Sequence, residues 1–454
     1  MNPIDPLQQL AWREHGAQAG DLQAEDAGFQ AQFHRVSPRY EPVIYPLPLF
    51  SASFLDDLVH SGRAVLALIL SIPQRIYGGD YAAWLRFQGC PDDEAAFLLP
   101  MCTARSIEVA TRFARPDCLL TPEAFRIVEM NIAPPIGGIA DCNRMVTEFR
   151  ASPFGRHLAG QGVKAQAPDT LACWGDAVRA VARASAARRG QGVEPLFFEA
   201  LADPAEVAQA NAQHADFVQG IRDSGFRHCK GNVQDLCVRD DGVYFGEQRV
   251  DLVFTAFTFS ELQTFKVPRR LVLDLVAADA AGLVDFIAPP VNILFDNKCN
   301  LELLTSPEYA RHWSDAERQL IARTLPLTQR LRQERLSTAL EQRESLVLKP
   351  TRQFGGAGVV VGANCTDAQW RAELDRALAS GEPCVLQETV HELFRLEVDC
   401  GGAPVRYEVC AGPMYFGNRD AAVFLRLMPA RDGVVPVINA ARGARMGVAL
   451  ARRA

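Results

Sequence analysis

Glu129 and Asn131 stand two residues apart in the apolar run "FRIVEMNI" (125–132), part of "RPDCLLTPEAFRIVEMNIAPP". Side chains alternate along a strand, so Phe125, Ile127, Glu129 and Asn131 are expected on one face. The turn formers "TPEA" between two apolar runs predict a hairpin centred near residue 123. That register sets Asp117 opposite Glu129 and Arg115 opposite Asn131, close enough to share a ligand. Two facing carboxylates repel each other unless a cation lies between them. Oxygen donors from Asp, Glu and an Asn amide suit Mg²⁺, a hard ion that keeps waters and shares nucleotide phosphates. Arg115 at the rim is placed for a charge-assisted bond to a phosphate oxygen. The same residues also fit a solvent-facing hairpin whose Glu and Asn are merely exposed.

A second candidate is "LVLKPTRQFGGAGVVVG" (346–362). A strand at 345–349 ends in Lys349, Gly355, Gly356 and Gly358 form a turn, and an apolar strand returns. Successive glycines let backbone N–H groups approach phosphate oxygens, and Lys349 can reach the same phosphates. This is not a Walker A loop: the lysine precedes the glycines, no GK[ST] is present, and a strand follows. A plain Gly-rich hairpin with a surface lysine is the alternative. "PCVLQETV" (383–390) is an apolar strand whose end, Gln387 to Val390, offers an edge for an adenine rim. In "DNKCNLELL" (296–304), Lys298 lies in a helix-like apolar stretch, where a lysine that snorkels to solvent is the alternative.

Elements must hold these pieces together. Residues 1 to 50 read as a short helix followed by a Pro-rich irregular wrap. Residues 51–76 predict a helix with a Ser cap, and "YAAWLRFQG" continues in helical style. "AVRAVARASAARRGQG" (177–192) reads as an Ala/Arg helix ending in Gly. Then come a buried strand "EPLFFEAL", an amphipathic helix over 204–225, a hairpin over 236–248 and the strand "VDLVFTAF". That alternation predicts an α/β domain at about 190–290. No GxGxxG follows its first strand, so a dinucleotide role is not supported. Residues 314–344 predict a long helix. His228 and Cys229 in "GFRHCKG" read as structural.

In this order the pieces resemble the circularly permuted branch of the ATP-grasp superfamily, whose glutathionylspermidine synthetase-like ligases are carboxylate–amine ligases. The matching positions are Arg115-Pro-Asp117, Glu129-Met-Asn131, Asn297-Lys298 and Lys349-Pro350 with Gly355, Gly356 and Gly358. Gln387-Glu388 and Ile438-Asn439 with Gly443 complete them. The likeness covers roughly residues 110–454, and the early Glu-x-Asn strand marks the permutation.

The resemblance implies an α/β (α+β) permuted ATP-grasp fold with a Rossmann-like preceding α/β domain and an N-terminal helical segment. Residues 1–110 would be that segment and 111–160 the strands with the Mg ligands. Residues 161–290 would be the preceding domain, and 291–454 the nucleotide-binding lobe with its Gly-rich lid. It implies Asp117, Glu129 and Asn131 as ligands of two Mg²⁺. Arg115, Lys298, Lys349 and Arg426 would be catalytic, with both lysines on ATP phosphates. Gly355, Gly356 and Gly358 would close over those phosphates, and Gln387, Glu388 and Val390 would hold adenine. Arg426 and Asn439 match more loosely.

The implied activity is amide formation through an acyl phosphate, with release of ADP and phosphate. A small-molecule kinase and a non-catalytic nucleotide-binding protein are the alternatives. No amidase domain is visible, and the residues that bind glutathione and spermidine have no counterpart. The partners implied are a small-molecule or peptide carboxylate and an amine.

Bulk properties agree with such a site. The 454 residues are 48% hydrophobic and 22% charged, with formal net charge −7. There is no global basic footprint for nucleic acid. The apolar run "AVLALILSI" (64–72) is too short for a bilayer and reads as a buried helix. Twelve cysteines are scattered, with no CxxC pair. Scatter and the lack of a leader-like N-terminus predict reduced thiols and a cytoplasmic location.

Overall fold

The computed structural model describes residues 3–18, 21–35, 42–133, 136–189, 193–208, 214–353, 355–399 and 404–452. Its first part is helical. Pro6–Gln18 and Leu22–His34 form two helices where one was expected. Ala52–Tyr77 follows, ended by Gly78 in a left-handed conformation. Ser51 stands at the N-cap but caps nothing with its side chain; its hydroxyl meets Ser53 instead.

The long helix lies beneath a six-stranded sheet. Val65, Ile69 and Ile72 of the helix, on one face at helical spacing, are buried. Phe54 meets Phe125 edge-on at 6.2 Å, and Tyr415 Oη donates to the Val59 carbonyl at 2.8 Å. The sheet runs Arg445–Val448, Arg419–Pro429, Val405–Phe416, Phe113–Leu120, Phe125–Ile132, with Arg395–Val398 also on Val405–Phe416. Strands from opposite ends of the chain thus share one sheet.

The hairpin 113–132 has the expected pairs Asp117–Glu129 and Arg115–Asn131. The expected single face does not hold. A bulge shifts the register, so Cys118 pairs with Ile127. An extra residue in one strand flips the alternation beyond it. Phe125 and Ile127 therefore enter the core, while Val128, Glu129 and Asn131 line a cavity on the other face.

The expected α/β domain is a parallel sheet in the order Asp285–Ile287, Leu252–Thr255, Leu196–Leu201, Arg227–Asn232. Its 204–225 helix appears as Pro204–Ala208 and His214–Asp223, with 209–213 outside the described residues. The Ala/Arg helix breaks at Ala182 into Thr170–Val181 and Arg183–Arg189. His228 pairs with buried Glu199 at 2.9 Å, a core contact away from the cavity.

The long helix expected over 314–344 is a helix Asp315–Thr324, a strand Thr328–Arg330 and the short helix Leu336–Glu341. Pro326 stops the first helix, since it has no N–H to continue the ladder. The strand is recruited by a four-stranded antiparallel sheet, Thr328–Arg330, Cys384–Glu388, Leu346–Pro350, Val360–Val361. One face of this sheet packs Leu348, Leu386 and Cys384 on Trp370 and Leu374 of the helix Asp367–Ser380. The other presents Val347, Lys349 and Gln387 to the cavity. Among the described residues, no helix is long and apolar enough to cross a membrane.

Candidate functional site

The two sheets face each other across a cavity of about 290 Å³, near the lower end of ligand-pocket volumes. Its walls bring together Arg115, Asp117, Glu129, Asn131, Lys349, Gly355, Gly356, Gln387, Glu388, Val390, Arg426 and Asn439. Lys298 is not on the wall but reaches it through Glu129. Gly358 stands behind the lid, against Pro350.

Alternation on paired strands sets up the lysine. Val347 pairs with Gln387 and Lys349 with Val385. Lys349 and Gln387 are then diagonal neighbours on one face. Lys349 Nζ donates to Gln387 Oε1 at 2.6 Å and to the Val128 carbonyl at 3.3 Å. The Gln387 amide is fixed in turn by Thr328 Oγ1 at 2.9 Å. Burial pushes the Lys349 ammonium down to about 8, against the pull of Glu129 and with added push from Lys298.

The two carboxylates of the hairpin that line the cavity are each held by a cation. Lys298 Nζ lies 2.8 Å from Glu129 Oε1 and donates to the Gln353 carbonyl at 2.7 Å. Arg426 ion-pairs with Asp117, and Arg115 Nε lies 3.8 Å from the same carboxylate. Burial alone would raise Asp117, yet Arg426 and then Arg115 hold it below the usual carboxylate range. The Asn131 amide donates to Asp117 Oδ1 at 3.1 Å and to the Arg115 carbonyl at 3.0 Å. Arg115 also donates to the Gly137 carbonyl at 2.7 Å and lies over the Phe424 ring.

The lid begins at Arg352, which is anchored to Glu94 of the N-terminal helical segment at 2.6 Å. Gly355 and Gly356 follow with φ of 68° and 76°, backbone that L side chains rarely adopt. Arg442 Nη2 donates to the Gly356 carbonyl at 2.9 Å. Asn364 bonds both the carbonyl and the N–H of Val435, at 2.7 and 3.1 Å. These bonds tie the Gly-rich loop and the turn after it to the segment 435–442, whose residues 435–439 form the far wall.

The donor set fits Mg²⁺. Two opposed carboxylates and an amide supply hard oxygens, and each carboxylate is neutralised by a cation that a metal can replace. Among the described residues, no cluster of three or more His, Cys, Asp or Glu side chains is arranged to hold a metal. A cation here would complete its coordination with water and phosphate oxygens.

Several participants carried no sequence signal. Thr328 lay inside the expected helix. Cys410, which accepts from Arg426 at 3.3 Å, is pushed up to about 12 by burial and is a wall, not a nucleophile. Asp296 is 5% exposed, and neither of its carboxylate oxygens has a partner. Burial holds it well above the carboxylate range, against the pull of Lys298.

Comparison with known proteins bears on this architecture. Residues 213–387 match a family described as a circularly permuted ATP-grasp. Among solved structures, the chain is similar to a glutathione synthetase-like effector from Globodera pallida in its apo form. That likeness has 12% identity and a TM-score of 0.55, covering 91% of this chain and 90% of the other. A putative γ-glutamylcysteine synthetase from Methylobacillus flagellatus KT is similar at 10% identity and a TM-score of 0.42, over 81% and 87%. No protein of curated function matches the chain. Family match and fold agree on a circularly permuted ATP-grasp fold. The permutation is visible in the sheet, where the Glu129–Asn131 strand comes early and joins strands from the end of the chain through its hairpin partner Phe113–Leu120, which pairs with Val405–Phe416.

Proposed function

We propose that the protein is an ATP-dependent carboxylate–amine ligase that forms an amide through an acyl phosphate and releases ADP and phosphate. One observation carries this reading: Lys298, Lys349, Arg115 and Arg426 converge on an opposed carboxylate pair in a cavity that the Cys384–Glu388 strand and the Gly-rich loop also line.

A carboxylate attacking the γ-phosphoryl group brings two anions together, so the first step needs concentrated positive charge. Lys349 and Lys298 would contact the phosphates, and Arg115 and Arg426 the γ-phosphate or the acyl phosphate. Asp117, Glu129 and Asn131 would hold Mg²⁺, which supplies charge neutralisation between phosphate oxygens. The adenine would lie between Val347 and Val361 and the 387–390 strand, with Leu119 and Ile438 opposite.

Acyl phosphates hydrolyse, so water must be kept out. The Arg442–Gly356 and Asn364–Val435 bonds close the lid for that purpose. No covalent enzyme nucleophile is required. The amine displaces phosphate from the acyl carbon, and the new C–N bond replaces the C–O bond to phosphate.

The test is an ADP-release screen of acid and amine pairs. ADP is expected only when both substrates are present. AMP and pyrophosphate would overturn the mechanism. ADP with the acid alone, with a stable phosphorylated product, identifies a kinase instead. ATP binding without turnover across the screen identifies a non-catalytic binder. Glu129→Gln is expected to abolish turnover in a folded protein; unchanged turnover refutes the reading of Glu129 as a Mg²⁺ ligand.

A further inference from the structure

Asp296 ends the short helix Ile293–Asp296, two residues before Lys298. Its carboxylate is buried, both oxygens are without a partner, and Lys298, Glu129 and Arg352 are the charges that act on it. As an anion an unpartnered buried carboxylate would be costly, so burial holds this one neutral here. A buried acid whose oxygens bond nothing has a use in another state of the site.

The charge pattern indicates which state. In this structure Lys298 Nζ occupies Glu129 Oε1 at 2.8 Å. A divalent cation on Glu129 would lie at about 2.1 Å from the same carboxylate. Ammonium and metal then repel across one anion, and Lys298 must be balanced elsewhere. The backbone is already fixed for such a swing. Asn297 Oδ1 accepts from the Cys299 N–H at 2.9 Å, and the Lys298 N–H donates to the Thr351 carbonyl at 3.1 Å. The Gln353 carbonyl also keeps one hydrogen of the ammonium, at 2.7 Å. With these points held, only the side chain need move, and Asp296, two residues earlier, is a buried acid without a partner on which Lys298 acts more strongly than any other charge.

We infer that Asp296 is a positioning residue that receives the Lys298 ammonium when a divalent cation claims Glu129. The acid then orients Lys298 towards the phosphates and removes a competitor from the metal site. The inference rests on the Mg-nucleotide reading above. It assigns to Asp296 a role in exchanging cations and none in contact with substrate.

The test uses the full chain and calorimetric titration with a non-hydrolysable ATP analogue, once metal-free with chelator and once as its Mn²⁺ complex. The ratio of the two affinities isolates the metal. Asp296→Asn is expected to lower that ratio at least about tenfold, the scale of losses when a supporting group around a metal site is removed. Metal-free affinity and the thermal melt are expected to stay near wild type. In a Lys298→Met background, Asp296→Asn is expected to change the ratio no further. An unchanged ratio, or an equal loss of both affinities, overturns the inference.

Lys298→Met serves even if Asp296→Asn does not fold. Removing the competitor is expected to raise the Mn²⁺ ratio above wild type, and no rise overturns the exchange. A wild type that shows no metal-dependent binding overturns the nucleotide reading and this inference together. Normal wild-type binding with an indifferent Asp296→Asn overturns the inference alone.

Discussion

Lys349→Met separates what the site costs from what it does. An ordinary lysine titrates at 10.5, and this one is pushed down to about 8. At about 1.4 kcal/mol per tenfold, the charged form is disfavoured in the fold by roughly 3 kcal/mol at pH 7. Methionine has a similar shape and no charge to bury, but it leaves Gln387 Oε1 without its donor, a loss of roughly 1–2 kcal/mol. The ligand-free variant is therefore expected to be more stable than wild type at pH 7, by about 1–2 kcal/mol.

The sign of the pH dependence follows from the depressed value. Between pH 8 and 10.5 the unfolded chain binds this proton more readily than the folded one, so wild-type stability rises through that window. Below pH 8 the full penalty stands. From pH 7 to 9.5 the advantage of the variant is expected to shrink by about 2 kcal/mol and to vanish or reverse. Urea unfolding followed by tryptophan fluorescence, on both proteins at both pH values, reads the difference. A wild-type-to-variant difference that does not change with pH refutes the claim that Lys349 is a buried, costly charge. Nucleotide binding by the variant is expected to be lost, which marks the lysine as kept for function at the expense of stability.

Two further substitutions probe the supports. Gly356→Ala places a Cβ at a φ of 76° and 3.0 Å from Val437 Cγ1. The closed lid is expected to lose about 1–2 kcal/mol, raising KM for ATP roughly tenfold, with an unchanged KM arguing against lid closure on 435–439. Thr328→Val removes the acceptor of the buried Gln387 amide, for an expected loss of about 1–3 kcal/mol in urea unfolding. A neutral result there shows that Gln387 is not fixed through Thr328.

The hairpin was legible because its chemistry and its turn lie in one short stretch. Asp117 faces Glu129 as the loop position requires. The bulge beside Val128 was not legible, since nothing in "FRIVEMNI" marks an extra residue. It is nonetheless what turns Glu129 and Asn131 from the core to the cavity. Lys349, Gly355 and Gly356 line one cavity, and their grouping was visible in the sequence because a strand, a lysine and a turn are local. Thr328 was hidden by "ERQLIARTLPLTQRL", whose helical composition continues past Pro326. The sheet edge of Cys384–Glu388 decides that segment, and its pairing is a tertiary fact that composition does not carry. Asp296 was hidden for a related reason: burial without a partner has no signature in a sequence. Only packing shows that "DNK" contains an acid with nothing to hold.

The order of strands in the six-stranded sheet has a consequence for how the chain folds. Leu119 pairs with Cys410, so the hairpin 113–132 meets its neighbouring strand only across most of the remaining sequence. Long-range pairings of this kind pay their loop-closure entropy before any contact repays it, and they slow folding. The hairpin itself is local and forms early on the time scale of such units. Its Asp117 must wait for Arg426, and its Glu129 for Lys298. Until then two carboxylates face each other with only Arg115 nearby, and their repulsion works against the hairpin. Permutation therefore ties nucleotide-binding competence to completion of the fold: a chain stopped before its last strands has the acids of the site but not the sheet that makes them a site.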